Sequence, residues 1–400
     1  MPLPTPLPPA LREKILDSPA LAPPPGVIPN FTNPSNLEIE TYGMVAAFMV
    51  LGTTSVGVRL WTKWRVVGRV KWWGEDGMLF ISWLIYTGML MPLAIISAKI
   101  GAGTHQWNLT VRQAVEQGYY YNIGSLAYIL SMLFLKTAIL LQCIRVLVPT
   151  GTRNAAFYLY HALLAANIIF YIVSAFIELF SCSPRAKLWD PTIVEGKCVG
   201  DITAKRVVSG VINMLTDFVV LVLAQKVVWG LGGGVGGKRR GRLSGVFFVG
   251  ALPCICSIVE IYYHHRGAIH GDKTHWVSLI APWGFAELAF GHFAASVVVM
   301  PRFFKYLFDK PFFVRLSESL SSRRKDSSEG DDKRWSRVGR VRIESPKRAE
   351  VRRPVVTDVE YEELVVNGGM SEREWGGGVE DGVTRPEPVF ITVADAMRTV

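Results

Sequence analysis

The stretch Tyr119–Val146, YYYNIGSLAYILSMLFLKTAILLQCIRV, decides the fold. It is apolar and long enough to cross a bilayer, since about 20 residues rising 1.5 Å each span a hydrocarbon core of about 30 Å. Near its middle stands one charge, Lys136. A lysine at bilayer depth costs roughly 2.5–3.5 kcal/mol on insertion scales, so it must face a protein interior or a water-filled cavity and find a partner there. That partner is a carboxylate or a backbone group, and the rest of the chain supplies the candidates.

The rest of the chain agrees. Half of the 400 residues are hydrophobic and the mean hydropathy is positive, which indicates a membrane protein rather than two soluble domains. The formal charge of +10 lies largely in short loops beside apolar segments and in the tail. That placement fits topology and argues against nucleic acid as a partner.

Seven spans are expected, about Glu40–Trp61, Gly77–Ala98, Tyr119–Val146, Asn154–Phe180, Ala204–Trp229, Leu243–Tyr263 and Trp276–Pro301. The fold class is therefore all-α, a seven-transmembrane-helix bundle over 40–301. A disordered proline-rich lead, 1–39, precedes it, with no apolar core of a signal peptide. An amphipathic juxtamembrane segment, 302–316, follows, since Phe303, Phe304, Tyr306 and Phe312 alternate with Lys305, Lys310 and Arg315. The charged, serine- and glycine-rich remainder, 317–400, reads as a disordered cytoplasmic tail. In it, Ser327 and Ser328 follow Arg323, Arg324 and Lys325, a pattern in which phosphorylation would weaken attraction to acidic lipids.

With the N-terminus outside, the basic loops after helices one and five and the segment after helix seven fall in the cytoplasm, as the positive-inside rule asks. Arg185, Lys187, Lys197, Lys205 and Arg206 then lie outside and oppose it. Two features support it: the sequons at Asn30 and Asn108 and the cysteine pair Cys182 and Cys198 all land outside. A disulfide across that short loop, worth roughly 3 kcal/mol, is favoured over two free thiols. Cys143, Cys254 and Cys256 lie within helices and read as small apolar residues.

By depth along their helices, Lys136, Asp217 and Glu287 meet near the bilayer midplane, and Asn213, four residues before Asp217, shares its helix face. This buried polar cluster is the candidate site, with a purely structural ion cluster as the even alternative. His264, His265, His270 and His275 crowd one loop and read as a solvated loop rather than a metal or pH site. GGGVGGKR imitates a phosphate loop but has Arg239 where Ser or Thr is needed, so it reads as a linker. No catalytic constellation is recognisable, and an enzyme is not expected.

Gly74-Glu75-Asp76, GAGTH at Gly101–His105, Lys136, Cys182-Ser183-Pro184 with Trp189 and Cys198, Asn213 with Asp217, and Trp283 with Glu287 follow one another in an order that resembles the fungal rhodopsin-domain family of integral membrane proteins. The resemblance covers roughly Tyr42–Tyr306. It implies a seven-helix, receptor-like protein, similar to a group that includes surface-sensing proteins of plant-infecting fungi. The family usually carries an Asp-Asp pair where this chain has Glu75 and Asp76, and arginine where it has Glu260. Light sensing is not implied: a retinal Schiff base needs a lysine in helix seven, and Trp276–Pro301 contains none, so no cofactor is expected.

The reading that results is a plasma-membrane receptor-like protein with an unknown external ligand, membrane lipids around it and a cytoplasmic signalling partner. Helices hinged near Pro253 and Pro282 would carry the signal. A proton-coupled transporter using the same charges, or a membrane scaffold, are the alternatives.

Overall fold

The computed structural model describes residues 9–67, 74–148, 155–230, 241, 244–245 and 248–308. The readings of the GGGVGGKR linker, of Leu243, of 309–316 and of the tail with Ser327 and Ser328 lie outside the described residues.

In chain order the helices are α1 (Pro9–Leu16), α2 (Glu38–Thr62), α3 (Gly74–Ile85), α4 (Met91–Gly101), α5 (Val111–Leu147), α6 (Ala155–Phe180), α7 (Ile202–Gly230), α8 (Ala251–His270), α9 (Lys273–Val297) and α10 (Met300–Phe308). Two short strands, β1 (Cys182–Ser183) and β2 (Lys197–Cys198), pair antiparallel between α6 and α7. Among the described residues five stretches are long and apolar enough to cross a membrane: Glu38–Arg65, Gly74–Gly101, Val111–Leu147, Ala155–Phe180 and Ala204–Val227. A sixth results if Lys273–Val297 and Met300–Leu307, bent by 63°, count as one. The chain is a mostly helical, multi-pass membrane protein.

Its differences from the expected seven helices have local causes. The sixth helix starts at Ala251 and runs to His270, so its far half contains His264, His265 and Arg266, which lower its hydropathy. The histidines read as a loop therefore sit mostly on a helix, and the connection is only Gly271, at φ +71°, and Asp272. Pro253 falls in the first turn of α8, where its missing N–H costs little. Helix seven ends at Val297, and the chain restarts at Met300 with Pro301 in the first turn. The helix also begins earlier than expected, at Lys273, but that lysine is exposed at the first position.

Between α3 and α4 the backbone widens into a π-helical turn, Tyr86–Leu90. Pro92 follows, and its lack of an N–H together with its ring strains the preceding turn, which the wider spiral relieves.

The central element is α5. Its start is fixed by a capping box, in which the Thr110 hydroxyl accepts from the Gln113 backbone and the Gln113 side chain accepts from the Thr110 backbone. It packs against α3, α4, α6 and α9 around a core that includes Val56, Leu79, Tyr86, Met132, Leu135 and Leu288. At Gly291 the approach of α9 is so close that a Cβ would lie 2.6 Å from Leu135 Cδ2. Ile169 and Phe176 of α6 point outward, as residues facing lipid do.

The proline-rich lead also differs from expectation. From Pro9 onward it packs along the disulfide-bearing end of the bundle. Val111 N–H donates to Ser18 O at 3.0 Å, Ala20 N–H donates to Leu109 O at 2.9 Å, and Leu37 N–H donates to Ala102 O at 2.7 Å. Arg112 pairs with Glu13 at 2.9 Å, and Arg12 with Asp190 at 3.3 Å. Composition alone signalled an unstructured lead because the partners of these groups lie far away in sequence.

Candidate functional site

The charge that the bilayer cannot solvate is met from a neighbouring helix. Lys136 of α5 extends to α7, where its Nζ donates to Asn213 Oδ1 at 2.6 Å, to Asn213 O at 3.1 Å and to Thr216 Oγ1 at 3.3 Å. It forms an ion pair with Asp217 Oδ1 at 2.6 Å. The four-residue spacing of Asn213 and Asp217 makes this possible, because it puts both on the face of α7 turned to α5. Asn213 passes the network on, its Nδ2 donating to Glu287 Oε1 of α9 at 2.7 Å.

Two tyrosines complete the cluster. Tyr128 OH donates to Glu287 Oε2 at 2.7 Å, and Tyr171 OH of α6 donates to Asn213 Oδ1. The Lys136 ammonium also lies 5.8 Å from the Tyr171 ring centroid, within range of cation–π attraction. All four expected residues are thus brought together, and four helices meet through them. Tyr128 and Tyr171 had no sequence signal beyond their place about two turns from a charged position, and Thr216 none beyond its place beside Asp217. Glu287 is 1% exposed, while Asp217 Oδ2 is buried without a hydrogen-bond partner among the described residues.

The cluster separates two cavities. Toward the disulfide-bearing end lies one of about 710 Å³, whose floor includes Tyr128, Tyr171 and Asn213. Toward the other end lies one of about 330 Å³ that Lys136, Asp217 and Glu287 reach. Asn167 lines the smaller cavity, and its Nδ2 is buried with no partner among the described residues.

Below the cluster, α9 carries a second buried contact. His292 stacks on Tyr86 with centroids 5.5 Å apart, and its Nε2 is 3.2 Å from Ser82 Oγ, which in turn donates to Ser131 O at 2.8 Å.

A third network closes the end opposite the disulfide. Arg59 of α2 donates to Asp76 Oδ1 at 2.9 Å, Glu75 Oε1 at 3.0 Å, Gln142 Oε1 at 2.8 Å and Ala295 O. Arg145 reaches Glu75 at 2.5 Å, and Lys63 contacts Asp76. Arg59, Glu75 and Asp76 are 1%, 3% and 1% exposed. In the sequence Arg59 stands at the end of the first expected span and the two acids just before the second, and charges at helix ends carry no mark of burial.

At the disulfide-bearing end, Cys182 and Cys198 are bonded, with Cα atoms 4.0 Å apart, and the other three cysteines are buried and free. The loop they close places Trp189 edge-on to Tyr119 at 5.4 Å. Arg206 donates to Glu178 at 3.0 Å, as does Asn122. The GAGTH loop is held by His105, 2.6 Å from Asp272 and stacked on both Trp107 and His275 at 4.3 Å. The left-handed Gly103 lies where a Cβ would collide with Leu37. The two sequon asparagines adjoin: Asn30 N–H donates to Asn108 Oδ1 at 3.0 Å.

The model of the fungal rhodopsin domain family matches residues 58–306, which includes all three networks. A relative from Gibberella zeae, Fugralins biosynthesis cluster protein 2, is 26% identical over 292 residues, 72% of this chain and 71% of its own length. SAT4 family membrane protein of Emericella nidulans is 27% identical over 241 residues, covering 60% and 59%. Satratoxin biosynthesis SC1 cluster protein 4 of Stachybotrys chartarum shares 33% over 86 residues, 21% of this chain and 31% of its own. No solved structure matches.

Proposed function

This chain belongs to the fungal rhodopsin domain family, and on that premise we propose that it is a seven-helix receptor for an external small-molecule cue. The observation that carries the reading is the cluster of Lys136, Asn213, Asp217 and Glu287, joined by Tyr128 and Tyr171. Asn213, Tyr128 and Tyr171 form the floor of the 710 Å³ cavity, Lys136, Asp217 and Glu287 lie beneath them on the 330 Å³ cavity, and the whole set binds four helices to one another. A molecule entering the cavity alters the floor, and the helices respond together. Two relatives named for biosynthesis clusters support a small molecule as the cue.

The N-terminus and disulfide face the outside of the plasma membrane in this reading, with Asn30 and Asn108 open to glycosylation. In the same reading α8 is the seventh span. The Arg59 end faces the cytoplasm, where a signalling partner would bind, and no catalytic step is involved.

The second reading, a proton-coupled transporter, is favoured by one observation: a cavity lies on each side of the polar cluster, as alternating access to a shared site needs. Cells expressing wild type and Lys136→Ala, matched for surface abundance through an N-terminal tag, separate the readings. Loss of a stimulus-dependent signal with unchanged uptake supports the receptor. A change in solute or proton flux transfers the assignment to the transporter, and indifference in both leaves only a scaffold.

A further inference from the structure

Resting on the receptor reading, we propose that the cavity's ligand is a cationic amphiphile, an amine on a largely apolar or aromatic body, and that Glu260 is the group that holds the amine.

The charged residues around the 710 Å³ cavity are unequally matched. Glu178 and Arg206 satisfy each other at 3.0 Å, and Lys205 donates to Val199 O. Glu260 of α8, also on the cavity wall, has no Lys or Arg within ion-pair distance among the described residues. Its contact is His264 Nε2 at 3.6 Å, one turn along the same helix, which is beyond a normal hydrogen bond.

Deeper in, the imbalance grows. Glu260, Glu287 and Asp217 supply three carboxylates near enough to feel one another, and among the described residues Lys136 supplies the one ammonium that pairs there. A further positive charge beside Glu260 would lessen the repulsion among these acids.

The surroundings suit an amine with an apolar body. Tyr121, Tyr128, Phe170, Tyr171 and Phe285 line the same cavity, and aromatic faces attract cations at the cost of little desolvation. Gly284 keeps the approach to the carboxylate open: a Cβ there would stand 3.3 Å from the Tyr128 ring and 3.8 Å from Glu260 Oε1. A carboxylate facing an aromatic-walled space recognises a protonated amine by charge-assisted hydrogen bonding.

Three probes with one body and different heads test this: 4-phenylbutylamine, 4-phenylbutanol and 4-phenylbutyrate, titrated into the purified full chain in lipid nanodiscs. The expected result is amine affinity about tenfold above that of the alcohol, with the butyrate weakest. Glu260→Gln should bring amine and alcohol within about twofold while leaving alcohol affinity unchanged, which also shows that the variant is folded. His264→Ala, which removes the competing partner, should raise amine affinity. Equal binding of the three heads, or an amine preference that survives Glu260→Gln, overturns the assignment and leaves the receptor reading standing. Failure of every probe to bind counts against both.

Discussion

Arg59 and Lys136 are both cations buried in the bundle, and they are treated differently. Arg59 engages Glu75, Asp76, Gln142 and a backbone carbonyl of α9, and its acids are further held by Lys63 and Arg145. The 330 Å³ cavity touches this network at Gln142 and Ala295. Among the described residues Lys136 has one carboxylate partner, whose second oxygen is buried without a hydrogen bond, and space lies on either side of its network. The contrast teaches how a membrane protein can divide one kind of interaction into two uses. A saturated network holds helix ends in one arrangement, and an under-saturated one beside voids is free to take another.

Substitutions can break that contrast or sharpen it. Arg59→Met should have the largest effect, about 3–5 kcal/mol of stability, because it leaves two buried acids short of a cation. Thermal unfolding in nanodiscs measures it, and a change below 1 kcal/mol would make the network dispensable. Lys136→Met should cost less, about 2 kcal/mol, since Asp217 retains some contact with solvent or cavity. Adding Asp217→Leu should restore most of that loss, because the stranded acid is gone; a purely additive double variant would show that the pair is not coupled. The smallest effect is expected for Tyr128→Phe, about 1–2 kcal/mol, from one hydrogen bond to Glu287. Should it exceed Arg59→Met, the ranking of the two regions is reversed.

How much of this was legible depended on where each charge stands in the sequence. Lys136, Asp217 and Glu287 interrupt long apolar runs, so the cost of burying them made them conspicuous and forced them toward one another. Arg59, Glu75 and Asp76 stand at the ends of such runs, where a charge is ordinary, and only the fold shows that the ends turn inward. Tyr128 and Tyr171 are invisible for another reason: tyrosine is at home in membrane helices whether or not its hydroxyl has a task. Pro92 and Pro301 were visible as residues, but whether each bends, widens or restarts a helix depends on what its neighbours pack against. The ordered lead from Pro9 rests on partners around residues 102–112 and on Asp190, beyond the reach of a local reading.

The tight contact of Gly291 with Leu135 gives α5 a mechanical character. From Leu135 about 36 Å of helix extends back to Val111 and about 18 Å forward to Leu147, at 1.5 Å per residue. A stiff rod pivoting there is a two-to-one lever: a shift of its long arm, which the disulfide loop and the lead embrace, arrives at Leu147 with about half the travel and twice the force.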